Sequence, residues 1–139
     1  MENIDHAARR REKALNVAQA TLLDIQDRRQ GACAQAKYVR NDESAEFYWK
    51  DATGIWRGIM VYGSVGSDAA SVYANMWLDD SGRNGLRLLA TLKFGQASAA
   101  VIGYLPKLIW KAYEALTAID TIQALRISDG ELNSLRKLQ

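Results

Sequence analysis

Residues 46–62 read Glu46-Phe47-Tyr48-Trp49-Lys50-Asp51-Ala52-Thr53-Gly54-Ile55-Trp56-Arg57-Gly58-Ile59-Met60-Val61-Tyr62, and the choice between sheet and helix for the middle of the chain turns on them. Asp51-Ala52-Thr53-Gly54 has the chemistry of a hairpin turn, with glycine supplying the positive φ, and joins a strand over 46–50 to one over 55–62. A helical stripe competes: Tyr48, Ala52, Ile55, Trp56 and Ile59 fall at three- and four-residue spacings. Gly54 and Gly58 weigh against it, because each costs a helix interior about 1 kcal/mol, whereas glycines suit a hairpin and a twisted strand.

Working outward, Asp79-Asp80-Ser81-Gly82-Arg83-Asn84-Gly85 is the densest turn signal in the chain. It separates a strand over 72–78 from one over 86–94. In the latter, Leu86, Leu88, Ala90, Leu92 and Phe94 alternate with Arg87, Thr91 and Lys93, and Leu89 alone breaks the period.

Residues 3–30 read as a helix, with Leu15, Ala18, Leu22 and Ile25 on one face and Gly31 as its stop. From Ala97 onward the chain reads as helix again. Pro106 suits a first turn, Ile109, Ala112, Tyr113, Leu116, Ile119 and Ile122 make a stripe, and Asp129-Gly130 ends it before a short helical turn over 131–138. The fold class is therefore α+β: a long N-terminal helix, a small antiparallel β-meander, and C-terminal helices packed on one face. An all-α bundle is the alternative. One proline and no Gly/Ser/Pro-rich linker make residues 1–139 a single domain.

No apolar run has the roughly 18–20 residues of a membrane span, and no signal-peptide core follows Arg9-Arg10-Arg11. The lone Cys33 has no internal disulfide partner, which suits a reducing compartment, so the expected location is cytoplasmic. Charge is unevenly spread. Residues 1–40 carry eight Lys/Arg against five Asp/Glu, residues 41–82 two against seven, and residues 83–139 eight against four. The middle is also aromatic: eight of the twelve Phe, Trp and Tyr residues lie between positions 38 and 77.

Catalytic chemistry finds no support. His6 lacks an orienting partner and Cys33 lacks a base. One Cys and one His cannot build a zinc site. Asp80, Asn84 and Gly85 match three positions of a calcium loop, but Gly82 stands at its third position and Thr91 where a bidentate Glu is required. Gly63-Ser64-Val65-Gly66-Ser67-Asp68 has neither phosphate-loop spacing nor its lysine. A carboxylate hydrolase assembled from Glu46, Asp51, Asp79 or Glu114 has nothing local to recommend it. The expectation is a non-enzymatic protein with no cofactor and no metal.

Binding is what remains. Trp and Tyr are the favoured anchors of interfaces, and Phe47, Tyr48, Trp49, Trp56, Arg57, Tyr62 and Trp77 are the candidate protein-binding residues, on a sheet face ringed by Glu46, Asp51 and Arg57. The expected partner is another protein or a second copy, forming a homodimer. A short accessory or inhibitor protein of a phage or mobile element would have the same character. The other class is nucleic-acid binding, with Arg9, Arg10, Arg11, Lys13, Arg28 and Arg29 tracking phosphates and sheet aromatics stacking on bases. Glu2, Asp5 and Glu12 dilute that basic patch.

Overall fold

A computed structural model of the chain describes residues 2–29, 35–50, 54–64, 69–80 and 85–119. Its elements run α1 (Glu2–Arg28), β1 (Gln35–Arg40), β2 (Ser44–Lys50), β3 (Ile55–Ser64), β4 (Ala69–Asp80), β5 (Gly85–Ser98), a 3₁₀ segment (Ala99–Tyr104) and α2 (Leu105–Thr117). The five strands form one antiparallel meander in the order β1-β2-β3-β4-β5. The architecture is α+β, and the all-α alternative is set aside: Gly54 takes φ +92° just before β3, and β2 and β3 pair from Lys50–Trp56 to Ser44–Tyr62.

Register sorts the side chains onto two faces. One face carries Ala45, Phe47 and Trp49 of β2, Ile55, Arg57, Ile59 and Val61 of β3, and Ala70, Val72, Ala74 and Met76 of β4, all buried. Both helices pack there. The Arg11 stem and Leu15 of α1 lie against Gly63, and Leu108 of α2 lies against Gly95. The predicted stripe Leu15, Ala18, Leu22 and Ile25 is fully buried, as are Ile109, Ala112 and Leu116 of α2. Pro106 sits in the first turn of α2, where its missing N–H costs no hydrogen bond.

Arg57 is the buried charge of this layer, 7% exposed. Its guanidinium donates to the carbonyl oxygen of Leu116, in the last turn of α2 where acceptors lack intrahelical partners, and to that of Ile119 just beyond the helix. A cation there also complements the helix dipole. A pair of arginines at the end of α1 reaches α2 and β2. Arg29 stacks 4.8 Å from the Trp49 ring and donates to the Tyr113 hydroxyl at 2.9 Å, while Arg28 stacks 4.8 Å from Trp110.

Three differences from the sequence expectation have physical causes. β1 was not foreseen: six residues with three exposed at its start give no stripe. It is set by the Asn41 side chain, whose Oδ1 accepts from the N–H groups of Glu43 and Ser44 at 2.8 Å each. β5 runs past Phe94 to Ser98, and α2 is preceded by a 3₁₀ segment. The pairing of β5 with β4 also shifts register twice, leaving Leu89 and Phe94 as extra residues. Each bulge reverses the alternation, so Leu88 lies on the side opposite Ala90, 53% exposed. The expected segments 122–138, the Asp80–Gly85 loop interior and Cys33 lie outside the described residues.

Candidate binding face

The other face of the sheet has no helix on it among the described residues, since both described helices occupy the first. Cross-strand register arranges it in four rows. Gln35, Lys50, Trp56, Trp77 and Leu88 make the first, and Lys37, Tyr48, Gly58, Asn75 and Thr91 the second. Val39, Glu46, Met60, Tyr73 and Lys93 make the third, and Ser44, Tyr62, Ser71 and Gln96 the fourth. In these four rows the charges are Lys37, Glu46, Lys50 and Lys93, on β1, β2 and β5. The two central strands present Trp, Met, Tyr, Gly, Asn and Ser. The face is apolar in the middle and charged at its rim.

Packing in the middle is set by Gly58. A Cβ there would stand 2.9 Å from Trp77 Cζ3 and 3.0 Å from Tyr48 Cβ, so the indole of Trp77 lies over the glycine. Tyr48 meets Trp56 edge-on at 5.6 Å and Trp77 edge-on at 6.3 Å between centroids, geometry that aromatic quadrupoles prefer. Lys50 lies 5.9 Å over Trp56. Tyr48, Trp56, Met60, Tyr73 and Trp77 are each half-buried, and Tyr62 is 38% exposed.

Two polar groups interrupt the apolar middle. Asn75 is 8% exposed, and the Thr91 hydroxyl donates to its Oδ1. Glu46, half-buried between Val39 and Met60, has its carboxyl held above the ordinary 4.5 by burial, partly offset by a hydrogen bond from Ser44.

The seven residues proposed from sequence thus divide. Tyr48, Trp56, Tyr62 and Trp77 come together on the open face. Phe47, Trp49 and Arg57 do not join them: they point the other way and are buried under the helices at 0%, 1% and 7% exposure. The expected ring of charge around the aromatics loses Arg57 accordingly, keeps Glu46, and Asp51 lies outside the described residues. Residues the sequence reading passed over are Met60, Tyr73, Asn75, Leu88 and Thr91. The signal for Tyr73 and Asn75 was their even spacing from Trp77.

The basic residues of α1 are on the opposite side of the molecule from these aromatics. Arg9, Arg10 and Lys13 are exposed, Arg11 packs its stem on Gly63, and Arg28 and Arg29 are engaged with Trp110, Trp49 and Tyr113. Arg28 also pairs with Asp24 at 3.7 Å. A single strand of nucleic acid cannot touch the α1 arginines and the sheet aromatics on one surface. A shallow groove of about 490 Å³ follows α1, lined by Arg9, Glu12, Lys13, Asn16, Val17 and Ala20.

His6 is exposed on α1, and among the described residues no three His, Cys, Asp or Glu side chains gather as a metal site. No described helix is long and apolar enough to cross a membrane. Compared with protein-family models, curated proteins and solved structures, the chain matches none of them, so its function has to be argued from this face.

Proposed function

We propose that this protein is a non-enzymatic, cytoplasmic protein-binding module whose contact surface is the open sheet face, and that the face docks on a second copy of itself. The observation that carries the reading is the grouping of Tyr48, Trp56, Met60, Tyr62, Tyr73 and Trp77 on one sheet face, with Glu46 the one charge set among them and Lys37, Lys50 and Lys93 around them. Interfaces have this anatomy, an apolar aromatic centre within a polar rim. The face carries both signs, Glu46 with Lys37, Lys50 and Lys93, so two copies can oppose unlike charges across a two-fold axis.

The size is adequate. Five strands about 4.8 Å apart and seven residues of about 3.3 Å rise give roughly 500 Å² of face, or about 1,000 Å² over two copies. That is near the lower bound for a specific interface, which places the expected affinity in the micromolar range. The division of aromatics and arginines between opposite sides is what makes nucleic acid the weaker reading.

Sedimentation equilibrium tests the proposal. Twice the chain mass is expected at tens of micromolar (about the concentration such an interface needs). Tyr62→Glu sets a charge in the face at a site already exposed in the monomer, so folding is retained, and the dissociation constant rises at least about 30-fold, the factor for 2 kcal/mol. A monomer mass throughout that range refutes the proposal, as does a dimer indifferent to Tyr62→Glu.

A further inference from the structure

Within the apolar middle, the Asn75–Thr91 part of the second row is low, while the Trp77 indole lies over Gly58. The low part runs between the taller rows of Trp56 and Trp77 on one side and Met60 and Tyr73 on the other. On the floor of this furrow Asn75 is more than nine-tenths buried, and its Oδ1 is occupied by the Thr91 hydroxyl. An amide carries two N–H donors besides its oxygen, so Thr91 orients Asn75 with those donors left for an acceptor. Among apolar neighbours a donor of this kind is costly to leave unmade once water is excluded.

We infer that Asn75 fixes how two copies meet, its amide donating to the Tyr73 hydroxyl of the second copy. This rests on the face-to-face docking proposed above. Tyr73 stands on the ridge beside the furrow, two residues from Asn75 on the same strand and the same face. When two identical faces meet, the ridge of one fills the furrow of the other. A two-fold axis passing between positions 73 and 75 of β4 sets each Tyr73 over the opposing Asn75, so the contact is made twice. A slide of one strand puts Met60 over the amide instead, and a slide of two rows along β4 puts Trp77 there. Neither of those side chains carries an acceptor as strong as a hydroxyl. The polar pair in the furrow therefore disfavours those apolar-over-amide registers, which apolar packing alone would tolerate, the role best attested for isolated buried amides.

A double-mutant cycle on the dissociation constant tests this, with sedimentation equilibrium as readout. Asn75→Leu strands the tyrosine hydroxyl in an apolar interface, and Tyr73→Phe strands the amide. Each weakens the dimer by about 10- to 100-fold. Removing both leaves no orphan, so the double variant returns to within about 10-fold of the wild type. Far-UV circular dichroism identifies any variant that fails to fold. Thr91→Val, at an exposed position, is the substitute in that event: it releases the orientation of the amide and weakens the dimer by about 3- to 10-fold. Additive losses in the cycle, or a Thr91→Val dimer as tight as wild type, overturn the inference and leave the docking face standing. A wild-type monomer overturns the docking itself.

Discussion

Arg57 tests the two-layer arrangement more sharply than any core aliphatic, because sequence places it in a binding surface and structure places it under a helix. In Arg57→Met the stem is kept and the guanidinium is lost. The Leu116 and Ile119 carbonyls then lack their donor. Two charge-assisted bonds contribute about 1.5 kcal/mol each at the low end, and the apolar thioether recovers about 1 kcal/mol of burial, so the net loss is about 2 kcal/mol. Arg57→Ala also removes the packed stem between Trp49 and Met76, its cross-strand neighbours, adding about 2 kcal/mol. With a urea m-value of about 2 kcal/mol/M, the midpoints fall by about 1 M for Met and about 2 M for Ala. Tryptophan fluorescence follows the transition. Self-association of the folded Met variant should match the wild type, since Arg57 faces away from the open face. A Met variant that unfolds at the wild-type midpoint would mean that the α2 C-terminus is held by something other than this cap.

Gly58→Ala gains up to about 1 kcal/mol of backbone entropy but forces a methyl against Trp77 Cζ3 and the immovable Tyr48 Cβ, and overpacking of this kind costs about 1–3 kcal/mol. A net loss of about 1–2 kcal/mol in urea unfolding is expected, and a stabilised variant would contradict the placement of Trp77 over the glycine. For Glu46, burial raises the folded-state pKa above 4.5, so the folded chain holds this proton more tightly than the unfolded chain and the ionised carboxylate opposes folding. Glu46→Gln should accordingly be more stable than wild type at neutral pH. The advantage should shrink as pH falls through the raised value and vanish below the unfolded one. A difference that does not change with pH, or one of opposite sign, contradicts that environment.

The helices were legible because each buries one stripe. Leu15, Ala18, Leu22 and Ile25 repeat at three- and four-residue spacings that no period-two strand shares, and Pro106 marks where α2 begins. The meander was legible through its turns, Gly54 above all. The faces of the strands were not. β2 reads Ala45-Glu46-Phe47-Tyr48-Trp49-Lys50, aromatic on both parities, so period two alone does not tell which aromatics lie under the helices. That is why Phe47 and Trp49 were grouped with Tyr48. Leu88 was hidden for another reason: the bulge at Leu89 switches parity inside β5, and the break in alternation at Leu89 does not by itself say that the face changes across it. β1 was invisible because its order comes from pairing with β2 and from the Asn41 turn rather than from any apolar face of its own.

The two edges of this sheet set how far assembly can go. A copy that adds along an edge leaves a fresh edge behind it, and such growth has no natural end. β5 breaks its pairing pattern at Leu89 and Phe94, and β1 is six residues long with Lys37 exposed on it, so both edges are poor templates for another strand. Contact on the face behaves differently, because each patch is consumed by the patch it meets. The same irregularities that obscured β5 in the sequence therefore favour a closed pair over a fibre.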